Sequence, residues 1–290
     1  MRTEISNARQ VAKIVTAHRQ REGGGFIVRR PFPSETLRHA DPFLLLDEMG
    51  PVDYGPREAI GAPDHPHRGF ETVTYVLDGE MEHEDSAGHR GQLGPGDVQW
   101  MTAGRGIVHS EMPSPTMRQR GGRMHGFQIW VNLPARDKMT APHYQEIPRA
   151  EIPQATTKDG LASVHLIAGE ALGARAVIET RTPISLLHWV FAAGASVDVP
   201  LPPDHACYVY VFEGAVRVAG REVRDGQLAI LGEGEAVHLE ASERAQALLL
   251  SGVPLREPVV QYGPFVMNTQ PEIMQAIEDY QAGRLGEIAR

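Results

Sequence analysis

The chain carries a single cysteine, Cys207, in 290 residues, so no internal disulfide can form and a reducing compartment is the natural setting. It also lacks long apolar runs. Nothing approaches the roughly 20 residues that a membrane-spanning helix needs, and Met1 to Glu22 is mostly polar, without the apolar stretch of a secretory signal. Nor is there an excess of basic charge. The formal net charge of −9 argues against a duplex-wrapping nucleic-acid binder, which must neutralise phosphates with clustered Lys and Arg. Arg118, Arg120 and Arg123 sit close together, but that run reads as a solvated loop. These absences predict a soluble cytoplasmic protein with no direct nucleic-acid contact and no membrane contact.

What the chain does have is turn chemistry. Hydrophobic residues at 41% and charged residues at 22% are ordinary for a globular protein, whereas Gly 30 and Pro 22 are high counts spread throughout. Many turns between short strands would use them. Residues 1 to 22 read as a strand or arm running through Gly23-Gly24-Gly25 into Phe26-Ile27-Val28. Asp41 to Gly50 is a short apolar run between turn formers, which suits a buried strand. From His65 the strands become dense. Phe70 to Leu77 ends at the hairpin signal Asp78-Gly79, Met81 to Ser86 returns, and Gly94 to Asp97 turns again before Val98 to Met101. After a polar loop around Pro113 to Gly122, Met124 to Leu133 alternates, with His125, Phe127, Ile129, Val131 and Leu133 on one face.

Pro134, Pro142, Pro148 and Pro153 mark a linker, and a second strand-rich region follows. Its punctuation repeats the first: Tyr75-Val76-Leu77-Asp78-Gly79 against Tyr210-Val211-Phe212-Glu213-Gly214, and Gly96-Asp97 against Gly226-Gln227. A duplicated all-β barrel is the reading, divided at 1–136 and 137–290. The close of the chain is different. Thr269 offers a cap, Pro271 sits in the first turn, Ile273, Met274, Ile277 and Tyr280 recur at helical spacing, and Gly283 stops a helix at about 271–283.

Two short stretches carry the chemistry. On extended strands alternate side chains share a face, so His65 and His67 point together, and so do His109 and Glu111. Two neighbouring strands could aim both pairs at one ion. Imidazole and carboxylate donors suit iron, manganese, cobalt, nickel, copper or zinc, and the lack of nearby thiolate argues against a structural cysteine-type zinc site. Three histidines and a glutamate leave exchangeable positions on an octahedral ion. Each residue alone reads better as an ordinary hydrogen-bonded side chain; it is the two pairs at the same spacing, beside Gly-rich turns, that make the metal reading the stronger one. Glu71 would share the His65 and His67 face on a regular strand, as a ligand or as a group that orients an imidazole. His125 reads as a core histidine or as a partner to a ligand, and His83 as packing or solvation. In the second half, His205-Ala206-Cys207 and His238-Leu239-Glu240 echo the two pairs with cysteine in place of one histidine; a degenerate repeat without metal is the preferred reading.

The stretches DPFLLLDEMG (41–50), HPHRGFETVTYVLDGEMEHEDS (65–86), GPGDVQWMTAGRGIVHSEM (94–112), HGFQIWVNLP (125–134) and MNTQPEIMQAIEDYQAGR (267–284) resemble the pirin family of the cupin superfamily. That resemblance implies a bicupin of two double-stranded β-helix (jelly-roll) barrels with a short C-terminal helix. It implies one divalent transition metal, Fe(II) first among the candidates, in the N-terminal barrel only, with His65, His67, His109 and Glu111 as ligands and Glu71 behind them. It further implies quercetin 2,3-dioxygenase activity: a flavonol and O2 as substrates, Glu111 as the base for the flavonol 3-hydroxyl, and loss of carbon monoxide. The rival implication is a non-enzymatic metal- or redox-sensing regulator that binds a protein partner.

Overall fold

A computed structural model of the chain describes residues 7–290. The part of the expected N-terminal arm before residue 7 lies outside the described residues. The Gly- and Pro-punctuated sequence folds, as expected, mainly into strands, and no helix among the described residues is long and apolar enough to cross a membrane. Two compact units result, and each has the same plan of a seven-stranded and a four-stranded sheet. In one unit the larger sheet runs in the order His143–Ile147, Val98–Thr102, Phe70–Asp78, Gly122–Asn132, Phe43–Tyr54, Phe26–Phe32, His18–Glu22. Its four-stranded sheet runs Ala62–His67, Ile107–Pro113, Met81–Asp85, Arg90–Leu93. In the other unit the order Val11–Thr16, Gln227–Leu231, Ala206–Glu213, Ala245–Gly252, Ile184–Phe191, Ala162–Ala168, Gln154–Thr156 faces Ala195–Pro200, Ala236–Ala241, Ala215–Val218, Arg221–Arg224. The paired motifs Tyr75 to Gly79 and Tyr210 to Gly214 end corresponding strands of the two units, which is the duplication read from the sequence.

The units are not collinear with the expected cut at 136/137. Residues 7–18 and Pro31–Pro42 join Ala150–Pro254, whereas Arg19–Arg30 and Leu255–Arg290 join Phe43–Arg149. Strand pairing is the physical reason. Val11–Thr16 completes a ladder with Gln227–Leu231, from Val11 opposite Leu231 to Thr16 opposite Gln227, so the first strand satisfies its backbone in the second half's sheet. The stretch read as a linker also contributes: His143–Ile147 pairs with Val98–Thr102, placing Tyr144 opposite Met101 and Glu146 opposite Gln99. Its prolines fall outside that short ladder, at 142 and 148.

Two further elements refine the sequence reading. The supposed polar loop at 113–122 contains a helix, Pro115–Arg120, because Ser114 accepts from the Met117 N–H, Pro115 occupies the first turn, and Gly121 at φ 72 ends it. The C-terminal helix is Gln270–Gln281, opened by a capping box in which Thr269 and Glu272 satisfy each other's backbone N–H groups. Its buried residues are Ile273 and Ala276, while Met274 and Tyr280, expected on the inner face, are 55% and 41% exposed. Arg68 ties this helix down: its guanidinium donates to Asp279 Oδ2 at 2.7 Å and to the Arg105 carbonyl at 2.6 Å. Asp279 is held at a pKa of about 2, because the Arg68, Gln275 and Arg284 hydrogen bonds outweigh its desolvation.

The turn between His67 and Phe70 depends on Gly69. Its φ is +90, and a Cβ there would lie 2.0 Å from the Val266 carbonyl oxygen. The Lys138 ammonium caps the same turn, donating to the carbonyls of Gly69 and Val266 and to Asn132 Oδ1, and its burial brings its pKa down to about 8. Gly69→Ala should therefore cost on the order of 2 kcal/mol or more from left-handed backbone strain and overlap together. A urea unfolding midpoint equal to that of the wild type would contradict this account of the turn.

Candidate metal centre

Strand parity builds the site. Ala62–His67 is an edge strand, which tolerates Pro66 in the middle of the pair because an edge position spares one ladder N–H. It runs antiparallel to Ile107–Pro113 with His65 opposite His109, so three imidazoles meet across one ladder. Ring centroids are 4.7 Å apart for His65 and His67, 4.3 Å for His65 and His109, and 4.8 Å for His67 and His109. One nitrogen from each lies within 4.8 Å of the others, and this three-histidine group is the one convergence of potential metal donors found among the described residues.

The nitrogens are presented as donors to a cation. His65 Nδ1 is 2.7 Å from the Pro63 carbonyl oxygen, which requires the proton on Nδ1 and leaves the Nε2 lone pair free to point inward. His65 Nε2 and His67 Nε2 lie 3.1 Å apart, and His109 Nε2 is buried with no hydrogen-bond partner. A buried acceptor without a partner is costly unless a cation answers it. Burial first, and then the neighbouring imidazoles, hold the pKa of His67 and of His109 well below the ordinary histidine range, with a small opposing effect of the Pro264 carbonyl on His67. Both rings are neutral at pH 7, the form that coordinates metal. The residues present fit a divalent transition metal.

Glu111 follows His109 at the two-residue spacing, although a bulge separates the two in the edge ladder. It is 7% exposed. Its carboxylate is turned to two donors: Thr74 Oγ1 at 2.7 Å from Oε1, and Gln128 Nε2 at 3.1 and 3.0 Å from Oε1 and Oε2. It lies outside the three-histidine group as drawn by nitrogen and oxygen distances. Beside His67 stand Trp130 and Phe70, with ring centroids 5.3 and 5.0 Å away, and these two rings pack on each other at 4.3 Å.

Of the remaining candidates, Glu71 departs from the sequence reading, whereas His125 and His83 are packed inside the fold. Glu71 does not share a face with His65 and His67, because the chain leaves its edge strand at Gly69 and enters the other sheet, where Thr102 Oγ1 donates to Glu71 at 2.6 Å. His125 is a core histidine, 2.9 Å from Glu48 Oε1. His83, read as packing or solvation, is 2% exposed and its Nδ1 lies 3.4 Å from that of His109. Thr74, Gln128, Trp130 and Tyr144 went unnoticed in the sequence. The signal for two of them was present, since the alternation that puts Phe127, Ile129 and Val131 on the apolar face puts Gln128 and Trp130 on the other.

In the second unit the corresponding interior is apolar, filled by Leu187, Trp189, Val209, Val211, Val237, Leu239 and Leu249. Cys207 belongs to this core, and burial pushes its thiol up to about 12. His205 Nδ1 meets Ser251 Oγ at 3.1 Å, and His238 turns to Asp198 at 2.6 Å and Glu240 at 3.2 Å near the surface.

Known proteins resemble this chain along most of its length. The family model described as Pirin matches residues 25–131, and that described as Pirin C-terminal cupin domain matches residues 186–286. A pirin-like protein from Solanum lycopersicum is 45% identical over 291 residues, covering 99% of this chain and 96% of that protein. A crystal structure of quercetin 2,3-dioxygenase from Acinetobacter baumannii matches with a TM-score of 0.92 at 39% identity, covering 97% of this chain and 100% of that one. A bacterial pirin from Escherichia coli, solved in complex with nickel(II), shares the fold with a TM-score of 0.63 at 21% identity over 83% of this chain and 98% of that one.

A pH dependence follows from the depressed histidines. In the unfolded chain His67 and His109 take up protons below the ordinary value of 6.5, while in the folded protein they resist protonation until a lower pH. Their neutral burial therefore contributes fully above pH 6.5, and stability of the metal-free protein falls as pH drops below it, by up to about 1.4 kcal/mol per pH unit for each ring. Urea unfolding of metal-free protein between pH 7.5 and 5.5 measures the slope. His109→Leu should flatten it by one proton; an unchanged slope would contradict the assignment.

Proposed function

Because this chain belongs to the pirin family, we propose that it is a metal-dependent dioxygenase that opens the heterocycle of a flavonol such as quercetin with O2. The balance is simple: both oxygen atoms enter the ring-opened ester, and one ring carbon leaves as carbon monoxide. The single observation that carries the reading is the convergence of three imidazoles, two of them buried and held neutral, beside a buried carboxylate that has donors to orient it. Full-length similarity to a quercetin 2,3-dioxygenase structure supports the substrate class.

In this reading His65, His67 and His109 hold one divalent metal, Fe(II) first among the fitting ions, and Glu111 completes the donor set. The ion supplies Lewis acidity that lowers the pKa of a phenolic hydroxyl, together with redox access to oxygen. The chain's own residues do the rest. Glu111 accepts the proton of the flavonol 3-hydroxyl; Thr74 and Gln128 fix its orientation and stabilise its charge by hydrogen bonding. Trp130, backed by the fully buried Phe70, gives a flat aromatic ligand an apolar wall next to His67 and keeps water from the reacting carbons.

The experiment is oxygen uptake with carbon monoxide detection on anaerobically purified, metal-loaded protein given quercetin. Wild type should consume oxygen and release carbon monoxide, and His65→Ala should lose both metal and turnover. Glu111→Gln should lose about 10²- to 10⁴-fold in turnover while keeping more of its metal, as expected for removal of a general base. A metal-loaded wild type that consumes no oxygen would refute the enzymatic reading and leave a metal- or redox-sensing regulator. Full activity in Glu111→Gln would refute the base.

A further inference from the structure

His109 has two ring nitrogens with different tasks, and its surroundings decide which carries the proton. Nε2 is buried without a hydrogen-bond partner on the side of His65 and His67. Nδ1 faces His83 Nδ1 at 3.4 Å, between two rings that are 1% and 2% exposed. Two imidazole nitrogens facing each other at that distance accommodate one proton between them: two would repel, and none would oppose two lone pairs.

The groups behind His83 settle the direction. His83 Nε2 is 3.0 Å from Tyr144 Oη and 4.0 Å from Asp85 Oδ2. Asp85 is anchored by the Ala87 and His89 N–H groups, which donate to its Oδ1 at 2.8 and 2.9 Å. Burial alone would raise the Asp85 pKa, but His83, Tyr144 and these two amides outweigh it and bring it to about 2, so a full negative charge sits behind the imidazole. That charge favours the His83 proton on Nε2, toward the phenol and the carboxylate. His83 Nδ1 is then the acceptor, His109 Nδ1–H the donor, and the His109 Nε2 lone pair is left facing the other two histidines. Tyr144 Oη is also 3.0 Å from Met101 Sδ, which packs the phenol in place.

We infer that His83, backed by Tyr144 and Asp85, is a positioning residue that fixes His109 in its Nδ1–H tautomer and thereby sets its strength as a metal donor. The inference deepens the metal-centre reading and rests on it for its second half. A partner of this kind behind a ligating histidine typically changes metal affinity by about 10- to 100-fold.

Two measurements test it. In metal-free protein, the ring 15N–1H correlation spectrum reads the tautomer directly: His109 is expected as Nδ1–H, and an Nε2–H tautomer would overturn the inference without touching the metal reading. The second is Co(II) affinity by competition with a chelating dye, with thermal midpoints recorded in parallel. His83→Leu, which fills similar space without an acceptor, should bind about 10- to 100-fold more weakly. His83→Gln, whose side-chain oxygen can accept from His109, should recover most of the loss. Tyr144→Phe, which keeps the ring and loses the hydroxyl, should fall between wild type and His83→Leu and serves as the readout if His83→Leu does not fold. Wild-type affinity in the Leu and Phe variants, or equal loss in Leu and Gln, would overturn the inference. A wild type that binds no Co(II) would sink the metal reading itself.

Discussion

The site depends on one constraint: three imidazoles forced together across one ladder, two of them, His67 and His109, buried away from water. Burial and mutual repulsion make protonation of His67 and His109 unfavourable, so the cluster is stable only as neutral lone-pair donors. The fold accepts this because two adjacent strands place His65 opposite His109 and carry His67 one pleat further on. The supports lie elsewhere in the same unit. Gly69 turns the chain after His67, Lys138 caps that turn, and Arg68 fastens it to the C-terminal helix through Asp279. The last segment of the chain is therefore part of the scaffold for a site formed far earlier in the sequence.

The two units show how little separates a histidine-lined barrel interior from a packed apolar one. When Tyr75 is aligned with Tyr210, His65 and His67 fall opposite Pro200 and Pro202, so the His205 and Cys207 pair is displaced along the chain and does not replace them. When Gly96 is aligned with Gly226, His109 falls opposite Leu239, and Leu239 is a core residue. His238 is one position away from that register. A one-residue offset in a strand moves a side chain to the opposite face, which is why His238 meets Asp198 and Glu240 at 29% exposure instead of entering the interior.

Period-two alternation made the fold class, the duplication and the three histidines legible in the sequence, because each of these depends on local spacing. The Glu71 expectation failed at the same level: continuing the alternation through Gly69 assumed a straight strand, and the left-handed turn there sends the chain into a different sheet. The interleaved units could not be read locally either, since the pairing of Val11–Thr16 with Gln227–Leu231 joins segments from opposite halves of the sequence. His83, Tyr144, Thr74 and Gln128 escaped for a related reason. Each comes from a different strand, and only the sheet order shows that they surround His109 and Glu111.

The central claim is that these three imidazole nitrogens share one ion. Anomalous difference maps from crystals of metal-loaded protein, collected on both sides of the metal's absorption edge, test it most directly. The account predicts a single strong peak bonded to Nε2 of His65, His67 and His109. A peak elsewhere, or one that contacts fewer than three of these nitrogens, would contradict it.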